Sequence, residues 1–210
     1  MAEDPEAHSS THRVEAFSDG VFAIAITLLI IEIAVPHVEG DQSLGEAISD
    51  LWPSYFAYAL SFITIGIYWA NHHSFFQLFR RLDHFFLMFN VLFLMCISFL
   101  PFPTAVLADY LDNSDQRGDA VTFYCFGLLL PATAWLALWT YGRWRDLLAD
   151  GLDPAYVRFA TWQYIGSSGV YILAVVASLI NPWAGIAMAA SITGAYLLPP
   201  REPKYIEHQH

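Results

Sequence analysis

Arg13-Val-Glu-Ala-Phe17-Ser18-Asp19-Gly20 runs into Val21-Phe-Ala-Ile-Ala-Ile-Thr-Leu-Leu-Ile-Ile31 with no polar break between them. A basic residue, a hydroxyl and a carboxylate therefore enter the first turns of an apolar helix. An ionisable group at membrane depth costs about 2.5 kcal/mol or more, so it faces protein or water and marks a functional site by default. Asp19 is the residue that most needs a reason.

The rest of the chain has the composition that such a helix requires. Of 210 residues, 56% are hydrophobic and 14% charged, against roughly 25% charged in soluble domains. This is the balance of an integral membrane protein. A formal net charge of -11 excludes nucleic acid as an expected partner, because phosphate backbones are bound by clustered Lys and Arg. The stretch from Met1 to His12 has no basic n-region or short h-region of a signal peptide, so the first apolar segment is expected to stay in the mature protein. Cys96 and Cys125 both fall in apolar runs and read as buried, reduced thiols.

A spanning helix needs about 20 mostly apolar residues. Six segments approach that: Ala16 to Val35, Trp52 to Phe76, His84 to Leu107, Val121 to Tyr141, Phe159 to Ile180 and Trp183 to Leu198. The fold class is thus all-α, with six transmembrane helices per subunit. Asn181-Pro182 reads as a tight turn, Pro36, Pro53 and Pro199-Pro200 as boundaries, and Pro101, Pro103 and Pro131 as kinks. The expected organisation is a polar cytoplasmic tail at 1–12, one six-helix domain at 13–200 and a second tail at 201–210, the tails being disordered.

Arg13, Arg80, Arg81, Arg143, Arg145, Arg158, Arg201 and Lys204 fall on one side of these spans. The other side carries Glu39, Asp41, Glu46, Asp50, Asp109, Asp112, Asp115 and Asp119, with Arg117 its one basic residue. Positive-inside bias places both termini in the cytoplasm.

On the first helix, Ile24, Thr27 or Leu28, and Ile31 form one stripe, because residues three and four apart share a face. Facing a symmetry axis, these would stack apolar rings that gate an ion path by dewetting. Facing lipid or neighbouring helices, they would be ordinary packing, and Thr27 would bond its own backbone. Periodicity leaves both open.

Arg13-x-x-x-Phe17-Ser18-Asp19, with the apolar run after it, resembles the signature opening the first helix in the Transmembrane Protein 175 family of bacterial and endolysosomal potassium channels. Tyr68-Trp-Ala-Asn-His-His73, Asp83, Asn90 and Pro101-Phe102 are also similar to bacterial members. The resemblance implies a homotetramer with the first helix lining a central pore, in a bacterial plasma membrane. It implies a potassium-favouring cation channel whose hydrophobic gate maps to Ile24, with Leu28 and Ile31 beyond and Thr27 nearby. Arg13, Phe17, Ser18 and Asp19 would hold the pore helix against its neighbours. The implied partners are potassium ions, membrane lipid and other copies of the chain, with no cofactor or bound metal.

Trp69, Asn71, His72 and His73 concentrate donors near the expected depth of Ser18 and Asp19, and one of the two histidines is expected to bond that pair. Adjacent histidines point about 100 degrees apart on a helix, which hinders shared ligation of one ion. A solvated interfacial role and haem or metal ligation are the other readings. A proton-coupled transporter or proton-permeable channel using Asp19 and His72 is the alternative function, and a redox subunit using His72, His73 or His84 a third. No phosphate loop, His-Glu-x-x-His or nucleophile elbow is present in the sequence, so no enzyme is expected.

Overall fold

A computed structural model of the chain describes residues 5–38, 40–198, 201–203 and 205. The expected boundary at Pro199-Pro200, the charges Glu39 and Lys204, and most of the second tail lie outside the described residues. Helix α1 is Pro5–Leu28 and continues as a 3-10 turn, Leu29–Glu32. It is followed by α2 (Leu44–Asp50), α3 (Trp52–Phe76), α4 (His84–Phe99), α5 (Pro101–Tyr110), α6 (Arg117–Trp144), α7 (Pro154–Ser178) and α8 (Pro182–Ala195). The first tail, expected to be disordered, is therefore helical from Pro5.

Local chemistry explains most of these limits. Asp83 caps α4 by accepting from the Phe86 amide at 2.8 Å, and Asn181 caps α8 by accepting from the Trp183 amide at 3.0 Å, each satisfying an orphan helix N–H. Pro182 takes the next position, where its missing N–H costs nothing. Ser43 and Glu46 form a reciprocal capping box on α2. The hydrogen-bonded helix is interrupted at Leu100, just before Pro101 and Pro103, whereas α6 continues through Pro131.

Among the described residues, four runs are long and apolar enough to cross a membrane: Arg13–Glu32, His84–Tyr110, Arg117–Trp144 and Pro154–Ser178. The expected second and sixth spans do form helices, α3 and α8, but neither reaches that standard. Tyr, Ser, Thr, Asn and His dilute the apolar content of α3, and α8 has only 14 residues. At 1.5 Å per residue, 14 residues cover about 21 Å of a hydrocarbon layer roughly 30 Å thick.

Helix α6 packs against α4, α5, α7 and α8, while α1 and its 3-10 extension lie against α3, α4 and α5. The core between them is largely aromatic: Phe22, Phe76, Phe86, Phe93, Tyr124 and Trp139 are fully buried. Small residues set the tightest approaches, as in membrane interfaces generally. A Cβ on Gly185 would sit 2.6 Å from that of Ser178, and one on Gly127 would sit 2.7 Å from the Pro103 ring.

The loops at the Arg80 end are stitched together. Arg80 N–H donates to Leu147 O at 3.0 Å and Ala149 N–H to Leu78 O at 2.8 Å, while the Arg80 guanidinium pairs with Asp146 and Asp150 at 2.8 and 2.7 Å. Asp83 accepts from the Tyr141 hydroxyl at 2.9 Å and faces Arg145 at 3.6 Å. Partial burial pushes its pKa up, but the Phe86 amide, Tyr141 hydroxyl and Arg145 guanidinium together outweigh this and hold it below the ordinary carboxylate value.

Candidate functional site

Helix α1 has two contrasting faces. Ser18, Phe22, Ala25 and Leu29 recur at four- and three-residue intervals, and all four are buried against the subunit. On the other face Phe17, Ile24, Leu28 and Ile31 are 60, 61, 41 and 71% exposed. These are large apolar side chains in one stripe, left largely uncovered by the described residues. Thr27 is exposed beside them, and its hydroxyl donates back to Ala23 O and Ile24 O at 2.8 and 3.0 Å. That bond satisfies the hydroxyl proton and leaves oxygen lone pairs available outward.

Below the apolar stripe, α1 is fixed by polar contacts that divide between two neighbours. Ser18 is fully buried toward α4, where Asn90 Nδ2 donates to Ser18 Oγ at 3.2 Å. Ser18 in turn donates to Val14 O at 2.9 Å. Asn90 Oδ1 accepts from His72 Nε2 of α3 at 3.1 Å, so three helices meet at one amide. The His72 ring lies in an aromatic nest, 4.5 Å from Phe76 and 5.5 Å from Phe22.

One residue further along, about 100 degrees around α1, Asp19 faces α3 instead. Trp69 Nε1 donates to Asp19 Oδ1 at 3.0 Å. One turn away on both helices, His73 Nδ1 lies 3.4 Å from Glu15 Oε1, while Gln77 donates to the other ring nitrogen of His73 at 2.9 Å. The pairs 15 with 73 and 19 with 69 form a two-rung ladder between antiparallel helices.

This corrects the expected histidine contact. Neither imidazole hydrogen-bonds to Asp19 or Ser18: the indole of Trp69 reaches the carboxylate, and His72 is linked to the hydroxyl through Asn90. Asn71 takes no part in that network, donating to Ile67 O of its own helix at 2.8 Å. Of the motif residues, Ser18 is buried while Arg13, Phe17 and Asp19 are exposed; Ser18 and Asp19 are the two that bond to neighbouring helices. Asn90 and Glu15 are the participants that reading Trp69 to His73 missed. Asn90 is a lone amide inside the apolar α4, and that oddity was its available signal.

Among the described residues no cluster of three or more His, Cys, Asp or Glu is placed to hold a metal ion. Cys96 and Cys125 are free and buried.

Residues 13–101 match the family described as the endosomal/lysosomal potassium channel TMEM175. The chain is 43% identical over 191 residues to a potassium channel of Chamaesiphon minutus, covering 90% of this chain and 93% of that one. It is 48% identical over 159 residues to a potassium channel of Streptomyces collinus, covering 75 and 77%. A human protein named as the endosomal/lysosomal proton channel TMEM175 is 33% identical over 154 residues, and the chain spans 30% of its length. The fold is similar to the crystal structure of a lysosomal potassium-selective channel TMEM175 homolog from Chamaesiphon minutus, with a TM-score of 0.80, 39% identity and coverage of 90 and 97%.

Proposed function

We propose a working mechanism for a chain that belongs to the TMEM175 family and is an integral membrane potassium channel, not an enzyme. Four copies assemble with α1 lining a shared axis, and Ile24 forms a hydrophobic gate with Leu28 and Ile31 further along. All six long or short helices, α1, α3, α4 with α5, α6, α7 and α8, lie within the bilayer in this reading. Both termini face the cytoplasm of a bacterial cell.

The observation that carries the reading is the exposed stripe Phe17, Ile24, Leu28 and Ile31, about 120 degrees around the helix from the buried stripe Ser18, Phe22, Ala25 and Leu29. Leaving such side chains against lipid would be unremarkable alone. Here they lie on the helix that also carries the polar anchors, and those anchors fix its rotation. Holding Ser18 to Asn90 and Asp19 to Trp69 leaves Ile24 outward. A ring of isoleucines at the axis excludes water from a narrow passage and raises the barrier to a hydrated cation. Thr27 offers oxygens one turn beyond Ile24, where a partly dehydrated ion gains from them. The acidic outer loops raise the local cation concentration without choosing potassium over sodium.

The test is potassium flux through liposomes containing Ile24→Asn. An amide ring wets the constriction, so flux is expected to rise severalfold at equal protein content. Flux unchanged from wild type removes Ile24 from the gate.

Proton passage along Asp19 and His72 is the second reading, and the naming of the human relative as a proton channel favours it. The internal network argues for a structural role instead. Asp19 and His72 do not meet, and the group joining His72 to Ser18 is an amide, which neither binds nor releases a proton near neutral pH. A pH-gradient assay on His72→Phe separates the two: retained proton flux is expected, and its abolition in a folded oligomer would restore the relay.

A further inference from the structure

A cavity lies away from α1, between α3, α6, α7 and α8. Tyr68, Asn71, Gln163, Ser167 and Tyr196 contribute polar groups to it together with the exposed Arg201, and about 80 Å³ is open to water-sized molecules. A groove sharing Asn71, Gln163, Ser167, Tyr196 and Arg201 continues over Trp162, Gly166, Ile192 and Leu198. That groove leads to the outer flank of α7 and α8. It does not involve the α1 face.

Its charge is unusual for this chain. Among the described residues neither lining contains an Asp or Glu, although the chain carries 20 of them against nine Lys and Arg. The ionised side chain among the described lining residues is Arg201, whose guanidinium lies 4.2 Å over the Phe159 ring. Around it stand amide and hydroxyl groups able to donate, and then an apolar track. A cation with five donors, neutral donors behind it and an apolar exit match a molecule with an anionic, acceptor-rich head and a hydrocarbon tail. The opening lies beside α7, a helix apolar enough to span a membrane, at the end where Arg143, Arg145 and Arg158 gather. Lipid is the molecule of that chemistry present there.

We propose that the cavity and groove hold an anionic glycerophospholipid, with its phosphate on Arg201, its ester oxygens toward Asn71, Gln163 and Tyr196, and an acyl chain along Ile192 and Leu198. The site rests on the membrane placement of α7 and not on the pore reading. Lipid occupancy and ion flux are measured separately, so either can fail alone.

Native mass spectrometry of the purified full-length protein, titrated with phosphatidylglycerol, phosphatidylcholine or inorganic phosphate, tests it. Wild-type protein is expected to retain phosphatidylglycerol in preference to phosphatidylcholine. Arg201→Ala should weaken the phosphatidylglycerol adduct about tenfold, the scale of one charge-assisted hydrogen bond. Ser167→Phe should fill the cavity and remove the preference. Arg117→Ala, which removes the guanidinium stacked on Trp183 near the far end of α8, should change nothing. Equal retention of the two lipids, or a wild-type adduct in Arg201→Ala, overturns the proposal, as does inorganic phosphate binding with no lipid preference. Arg201 is exposed, so its variant decides the matter even where Ser167→Phe fails to fold.

Discussion

Replacing Asn90 with Leu removes the amide at which α1, α3 and α4 meet while nearly conserving volume. Two interhelical hydrogen bonds disappear, the 3.2 Å bond to Ser18 Oγ and the 3.1 Å bond from His72 Nε2. Such bonds between membrane helices are worth about 0.6 kcal/mol on average and up to about 1.7, so the pair contributes roughly 1–3 kcal/mol. Ser18 is spared further cost because its proton already goes to Val14 O. His72 is not spared, because its ring is buried among Phe22, Phe76 and Phe93 with no other bond to Nε2 among the described residues. At about 2–4 °C per kcal/mol for a chain of this size, the melting temperature in detergent should fall by roughly 2–12 °C. Tryptophan fluorescence can follow the transition, with Trp135 beside His72 as an internal reporter. A double variant, Asn90→Leu with His72→Phe, should recover part of the loss, because removing both polar partners is cheaper than stranding one. A single variant as stable as wild type, or strictly additive losses in the double, would refute the three-helix junction.

Other consequences can be checked in the same preparation. Trp69→Phe keeps an aromatic ring but deletes the donor to Asp19; about 1 kcal/mol or less of stability should be lost, and under the proposed assembly oligomer recovery by size-exclusion chromatography should fall by more. Gly185→Val places a side chain into Ser178 and should separate α7 from α8, read as a melting shift of several degrees that Gly194→Ala, in open space, does not produce. Asp83 has a lowered folded pKa, so its ionised form stabilises the protein above the unfolded value of about 3.9 and the contribution fades as pH falls through the folded pKa. The melting-temperature difference between wild type and Asp83→Asn should therefore shrink below about pH 4, and a constant difference from pH 7 to pH 3 would contradict the assignment.

The membrane class, the identity of α1 as the helix of interest and several boundaries were legible in the chain. Apolar runs, Pro182 after Asn181, and Asp83 before the His84 run are local signals, and local signals survive folding because they concern a residue and its nearest turns. The length shortfall of α8 was also visible in the short Trp183 to Leu198 segment. The partner of each polar side chain was not. Ser18 and Asn90 are separated by 72 positions, and Asp19 and Trp69 by 50, so their meeting depends on helix rotation and register set by packing elsewhere. Counting donors around residue 72 suggested a histidine, but the antiparallel register of α1 and α3 set the Trp69 indole opposite Asp19.

Sequence by itself therefore determined that a polar motif opens an apolar helix and that residues 24, 28 and 31 share a side of it. Tertiary structure decided which side is covered. A 3.6-residue period fixes angles between side chains on one helix but carries no reference direction; that direction came from Asn90 and Trp69, which grip adjacent residues of α1 from two different helices and leave Ile24 facing outward.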